Sequence, residues 1–156
     1  NNKGSSHEME VSMVVGSKTI TKTVGSVKVD LILGTSTTDP TNDGKTIYVV
    51  QNTNESYSST YWTSANNNLS ASPSLNYSSL FTIDSNNRIK SVAKQTYCNG
   101  TNGNISFNAN GTAYTFNNGQ IYSGSRYIRQ NEATITIDRT NSNRNWKFYH
   151  IDPSLP

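Results

Sequence analysis

From Glu10 the chain alternates: Val11, Met13 and Val15 stand between polar residues until Gly16-Ser17 breaks the run. A second run, from Ile20 through Thr21-Lys22-Thr23 to Val24, stops at Gly25-Ser26. A third places Val27, Val29, Leu31 and Leu33 at alternate positions, with Lys28, Asp30 and Ile32 between them. Successive side chains of a strand point to opposite faces, so period-two runs cut by Gly-Ser pairs predict a three-stranded N-terminal β-meander with one apolar face. Residues 34–44, Gly-Thr-Ser-Thr-Thr-Asp-Pro-Thr-Asn-Asp-Gly, read as the clearest linker in the chain. They divide it into an N-terminal segment, residues 1–43, and a β-rich body, residues 44–156. The opening Asn-Asn-Lys-Gly-Ser-Ser has no reason to fold alone.

Beyond the linker the pattern predicts many short strands. Residues 46–50 are apolar enough for a buried strand, whereas 51–79 are rich in Ser and Asn with scattered aromatics, and Pro73 argues against a central strand there. Asn110-Gly111 lies between 104–108 and 112–116, and Asn118-Gly119 lies between 113–116 and 120–122. Asn-Gly accepts the positive φ angles of tight turns, so two successive hairpins are expected. Further strands are expected at 134–138 and 145–151. No ten-residue stretch carries helical periodicity, and the fold class read from the pattern is all-β with many short antiparallel strands.

The body also repeats itself. Phe81-Thr-Ile-Asp-Ser-Asn-Asn-Arg-Ile89, followed by Tyr97, is matched by Tyr114-Thr-Phe-Asn-Asn-Gly-Gln-Ile121, followed by Tyr127-Ile128. Trp146-Lys-Phe-Tyr-His-Ile151 reads as a truncated third copy, and the lead aromatics are 33 and 32 residues apart. Aromatic-x-apolar, a polar turn, Ile, then an aromatic opening the next strand resembles the repeat of β-trefoil domains, including ricin-B-type lectins. It also resembles trefoil-like modules of secreted bacterial or phage surface proteins. The resemblance covers residues 44–152 and implies a β-trefoil-like body of about twelve strands. The Gln-x-Trp signature of the lectins is not matched, because Arg144 stands two residues before Trp146. A β-sandwich is the alternative architecture.

Composition supports strands and narrows the chemistry. Asn, Ser and Thr supply 63 of the 156 residues, while Leu occurs six times and Glu four. Helix formers are scarce and strand formers plentiful. Nine Tyr and a charged fraction of only 15% are unlike a disordered polyelectrolyte. The net charge of +3 is scattered, apart from Arg126, Arg129, Arg139, Arg144 and Lys147 in the last quarter. No Lys/Arg cluster marks a phosphate-tracking surface, so no nucleic-acid partner is expected. One cysteine, Cys98, excludes an internal disulfide. No apolar run approaches the ~18 residues of a spanning helix, and no membrane insertion is expected. The chain begins at Asn1 rather than Met, which fits a removed signal peptide or an excised piece. Six Asn-x-Ser/Thr sites are about as many as the abundance of these residues gives by chance.

Candidate chemistry is thin. Acid–base catalysis needs two converging groups with opposed pKa shifts, and the few carboxylates here read as turn and strand-end residues. His7-x-Glu lacks a second His for a metal, and the glycines sit in turn dipeptides rather than phosphate-binding patterns. Cys98 next to a glycine-rich loop, with His150 as its sole distant base, reads as a small filler. No catalytic residue, metal or cofactor is expected. Binding chemistry fares better: Tyr57, Tyr61 and Trp62, set among Asn, Ser and Thr, are the candidate ligand-binding residues. Such rings supply apolar area while amides and hydroxyls supply directional bonds.

These readings imply a non-enzymatic recognition module, extracellular, at the cell surface or on a virion, binding glycan or protein through aromatic and Asn-rich loops. The alternatives are a structural subunit of a phage particle or surface filament, assembled with other subunits through β-strand contacts, and a polysaccharide-acting enzyme. The N-terminal apolar face must cover something, either the body or a neighbouring subunit, which implies a homo-oligomer or larger assembly.

Overall fold

The protein is described by a computed structural model covering the backbone of residues 8–15, 18–25 and 28–152 and the side chains of residues 35–151. Sixteen strands and two short 3-10 turns, and no α-helix, make up the described secondary structure. The fold is all-β.

The N-terminal strands β1 (Glu8–Val15), β2 (Lys18–Gly25) and β3 (Lys28–Thr37) lie where the alternation places them. β1 and β2 form an antiparallel hairpin, but β3 runs parallel to β1 on its other side, giving the order β3–β1–β2. The meander expectation is corrected at this point. The cause lies in β3, whose last residues pair with β16 (Trp146–Asp152), so that β3 sits between β1 and the body. Which face the apolar side chains of residues 11–33 cover lies outside the described residues, as do residues 1–7.

β3 and β16 join the N-terminal strands to a nine-stranded sheet. Its order is β11–β9–β8–β7–β4–β16–β3–β1–β2, with β4 at Tyr48–Asn52, β7 at Phe81–Ile83, β8 at Ile89–Ser91, β9 at Tyr97–Asn99 and β11 at Ser106–Asn108. A second sheet runs β12 (Thr115–Asn117), β13 (Gln120–Ser123), β14 (Arg126–Asn131), β15 (Thr134–Asp138), β6 (Ser70–Ser72), β5 (Tyr61–Thr63). β10 (Gly103–Asn104) adds to β15.

The repeat read from the sequence is a repeat of pairing. Thr82↔Lys90 and Ile83↔Ile89 in the first copy match Thr115↔Tyr122 and Phe116↔Ile121 in the second. The third strands enter alike, Lys90↔Tyr97 and Tyr122↔Tyr127, and the fourth strands too, Cys98↔Phe107 and Ile128↔Ile137. Each copy is therefore a four-stranded meander with equivalent register. The segment 146–151 forms one unbroken strand rather than a hairpin. The third hairpin is β5–β6, in which Trp62 and Leu69 take the places of Phe81 and Ile89.

The lead aromatics and their isoleucines meet in one core: Phe81, Tyr114, Trp146, Ile89, Ile121 and Ile128 are all buried, joined by Trp62, Leu69, Ile105 and Ile135. Trp62 stands edge-on to both Trp146, centroids 5.2 Å apart, and Phe81, 5.5 Å apart. A second cluster of Val49, Tyr61, Leu80 and Ile151 separates from it, because β4 turns Tyr48 and Val50 to one side and Val49 to the other. All five residues of β4 are buried, as a strand covered on both faces requires.

Turn chemistry splits the two Asn-Gly expectations. Asn118 and Gly119 have φ of 49° and 86° and close the β12–β13 hairpin as expected. Asn110-Gly111 does not close a hairpin: β11 and β12 belong to different sheets, and Gly111 has no positive φ. Gly111 is required by space instead, since a Cβ there would lie 2.5 Å from the Cβ of Tyr97. Asn-Gly in sequence carries no information on which of these two needs it meets.

Residues 34–44, read as a linker, are tied to the body throughout. The Thr38 carbonyl accepts from the Gly119 amide, the Asp39 carboxylate from the Asn118 amide, and the Gly44 amide donates to the Ile83 carbonyl. Asp43 organises the end of the segment. The amides of Thr46 and Lys45, at 2.8 and 2.9 Å, and then the Thr46 hydroxyl hold its carboxyl down at about 2, below the ordinary 3.8. A carboxyl depressed in the folded state supports the fold fully above its unfolded value and loses that support as pH falls through its folded value. Carbon-detected titration of Asp43 should therefore report a midpoint near 2, and a midpoint at 3.8 would contradict the turn geometry.

Candidate functional site

A cleft of about 400 Å³ opens where the 3-10 turn Glu55–Tyr57 meets the β14–β15 turn and the loop after β15. Asn54, Ser56, Tyr57, Thr60, Pro73, Glu132 and Asn143 line it, with Ala71 and Ala133 as apolar floor.

Local sequence builds these walls. Asn54 caps the 3-10 turn by accepting from the Ser56 amide at 2.9 Å, in keeping with the preference of Asn for such positions. Its amide nitrogen then donates to the Asn143 side-chain oxygen across the cleft at 2.7 Å. Asn143 adopts a φ of 53°, which Asn tolerates better than most residues, and its carbonyl accepts from the Gln130 amide and the Asn52 side chain. Tyr57 is half-buried, and its hydroxyl accepts from the Glu132 amide at 3.2 Å.

Behind the cleft stand three buried amides, Gln51, Asn52 and Gln130. Gln51 donates to the Ser58 carbonyl at 2.7 Å, and Gln130 to the Thr60 hydroxyl and the Glu132 carbonyl at 3.0 and 2.9 Å. Satisfied buried polar networks rigidify what they join. Here they fix the backbone of residues 58–60 against the β14–β15 turn, so the cleft is pre-formed. Glu132 is the one carboxylate lining it.

Of the three rings expected to bind ligand, only Tyr57 reaches this cleft. Tyr61 and Trp62, the other two candidate ligand-binding residues, are core residues, 4% and 1% exposed. Alternation explains the difference: within β5 the two rings point to opposite faces, and both faces are covered. Tyr61 enters the second cluster, where burial first and the neighbouring Tyr149 second push its hydroxyl pKa up. Trp62 enters the main core, its indole N–H without an acceptor among the described residues. Sequence reasoning missed Asn54, Glu132 and Asn143, which converge from positions about 80 residues apart; the Asn-rich composition hides such partners.

Cys98 is fully buried in the main core, and burial pushes its thiol pKa up, as it does the nearby Tyr114 hydroxyl. Only the thiolate is a nucleophile. Native protein should resist a chromogenic disulfide reagent at neutral pH and react fully in denaturant; rapid labelling of folded protein would contradict this burial. His150 is exposed and meets Tyr48 edge-on, 6.3 Å between ring centres.

The remaining carboxylates serve turns. Burial raises Asp84, but the Arg88 amide and guanidinium, with the Asn86 amide, outweigh it and hold the carboxyl below its usual value. Asp138 is likewise raised by burial, yet held down overall by Thr140, Thr136 and Arg129. No group of three His, Cys, Asp or Glu among the described residues is placed to hold a metal ion, and no described helix is long and apolar enough to cross a membrane. No family model, curated protein or solved structure matches the chain.

Proposed function

We propose that this protein is a recognition module that binds a neutral glycan in the Tyr57 cleft, and that it works outside the cell or on a particle surface. The observation that carries this reading is the convergence of one half-exposed tyrosine ring with the Asn54 and Asn143 side chains and the Glu132 carboxylate. Sugars present alternating apolar C–H patches and hydroxyls. The ring and the alanine floor suit the former, while amides and a carboxylate accept and donate to the latter. The trefoil-like repeat agrees with such a role, because that resemblance includes lectins. A lone cleft carboxylate favours binding over glycoside hydrolysis, which uses a pair.

Binding to a panel of neutral oligosaccharides tests this. Tyr57→Ala should weaken binding about tenfold or more without lowering the melting temperature appreciably, as for truncation of an aromatic anchor. Failure of the whole panel to bind, or unchanged affinity in the variant, ends the reading.

A second reading, assembly through strand contacts, is favoured by β2. Among the described strands this eight-residue strand stands at the end of the nine-stranded sheet, paired with β1. An open edge of that length is a template for another strand. Deleting residues 1–27 keeps the β3–β16 pairing and should lower the oligomeric mass seen by light scattering; a monomer before and after would remove this reading.

A further inference from the structure

The outer face of the β13–β15 sheet carries a second arrangement, away from the cleft floor. Register sets Tyr127 beside Tyr122 on one flank and Asp138 on the other. The two rings lie 4.8 Å apart at 35°, and the Arg144 guanidinium stands over Tyr127, 3.9 Å from the ring centre. Arg129 is oriented by donating to the Ser142 carbonyl and hydroxyl, each at 3.1 Å, with Asp138 4.0 Å away.

The first copy of the repeat provides an internal comparison. Tyr97 occupies the register position of Tyr127, and Arg88 stands over it at 4.2 Å. There the guanidinium is neutralised, since Asp84 takes both its Nε and its Nη2 at 2.8 Å. Arg144 has no such acid. The Arg144 side chain makes no hydrogen bond or ion pair with another described residue, and the acid of this face, Asp138, pairs in register with Tyr127 and lies 4.0 Å from Arg129. The repeat-equivalent tyrosines thus each carry an arginine over the ring, supplied from non-equivalent positions because Gln120 stands where the first copy has Arg88, and the second guanidinium is left charged.

We propose that this face binds an acidic saccharide, with Arg144 as the fork that takes the carboxylate of a uronic acid. Stacking on Tyr127 fixes the plane of the guanidinium, so its free N–H edge is pre-set for a bidentate carboxylate. The neighbouring Tyr122 ring, half-exposed, offers an apolar surface to the sugar ring. A densely charged sulfated polymer or a nucleic acid calls for a longer row of cations than Arg129 and Arg144 provide. Asn143 belongs to the cleft and Arg144 to this face, so one loop borders both, but the two sites stand or fall separately.

The probe is tetragalacturonate, titrated into the intact protein and followed by nitrogen-detected NMR of arginine Nε and by calorimetry. Binding should shift the Arg144 and Arg129 Nε signals. Arg144→Gln should lower affinity about tenfold, the loss expected of a charge-assisted pair, and Arg144→Lys should recover little of it. Arg88→Gln and Tyr57→Ala should leave galacturonate affinity unchanged, the latter separating this site from the cleft. The proposal is overturned by absence of galacturonate binding, by shifts centred elsewhere in the unaltered protein, or by equal losses in the Arg88 and Arg144 variants. Tighter binding of dextran sulfate or a single-stranded oligonucleotide than of tetragalacturonate overturns it as well.

Discussion

Trp146→Ala is expected to destabilise the protein by about 4 kcal/mol, toward the upper end of what a buried aromatic truncation costs. Two losses coincide at this residue, and its place in the fold adds to them. The ring is 0% exposed and edge-on to Trp62, so its removal opens a cavity at the centre of the main core. Its indole N–H donates to the Ile128 carbonyl at 2.9 Å, and that buried carbonyl would lose its partner. The residue also begins β16, the strand that pairs with β4 on one side and β3 on the other. A domain stabilised by 5–15 kcal/mol in the usual way has little margin for this. Denaturant unfolding measures it, with Trp62→Phe as a comparison that keeps a ring in contact. A Trp146→Ala loss below about 1 kcal/mol would mean that the two copies of the repeat do not share one core.

The residues that specify this core were readable because their chemistry is unambiguous at short range. Aromatic-x-apolar followed by Ile at seven or eight residues has strand periodicity on both sides of a polar turn, and Phe81, Ile89, Tyr114 and Ile121 are buried accordingly. The β5–β6 hairpin escaped notice because Ser64 stands where the other copies have Ile83 and Phe116. Ser64 is nevertheless buried, satisfied by the Ser91 hydroxyl at 2.7 Å and by the Ser78 backbone. Polarity at a core position conceals a repeat when a tertiary partner, not the local sequence, supplies the compensation. The cleft was hidden for the same reason. Tyr57 was visible as an aromatic in a polar stretch, but Glu132 and Asn143 become its neighbours only through the pairing of β14 with β15. Trp62 and Tyr61 misled because a polar flank is a property of the segment, and burial is a property of the strand.

The N-terminal strands show the complementary case. Alternation placed β1, β2 and β3 correctly along the chain, yet the sequence of β3 holds nothing that chooses between β2 and β1 as its neighbour. Pairing of its end with β16 makes that choice, through Thr37↔Phe148 and Ser36↔Tyr149, with a bulge between Tyr149 and Ile151. Residues of low hydrophobicity at 34–44 suggested a loose connection. They are instead held by backbone bonds to β7 and to the β12–β13 turn, bonds that any sequence can make.

That turn is where the second large effect is expected. Gly119→Val should cost about 3 kcal/mol, more than a turn residue alone would. The first contribution is conformational: φ at Gly119 is 86°, and a β-branched side chain resists positive φ. The second is spatial, because a Cβ at this position would lie 3.0 Å from the Trp146 carbonyl oxygen, a backbone atom with little room to yield. The third is connectivity. Gly119 donates to the Thr38 carbonyl at 2.9 Å and accepts from the Trp146 amide at 2.7 Å, so a shifted turn disturbs the segment after β3 and the start of β16 together. Gly119→Ala meets the same φ and the same close approach with one methyl and should lose roughly half as much. Thermal unfolding of the two variants isolates what β-branching adds to the contributions they share. Should the valine variant melt with the wild type, the close packing of this hairpin against β16 would be wrong; should alanine and valine lose equally, the Cβ they share would account for the whole effect and branching would add nothing. The expected ordering, wild type above alanine above valine, follows because both variants place a Cβ at positive φ against the Trp146 carbonyl and valine adds branching at that Cβ.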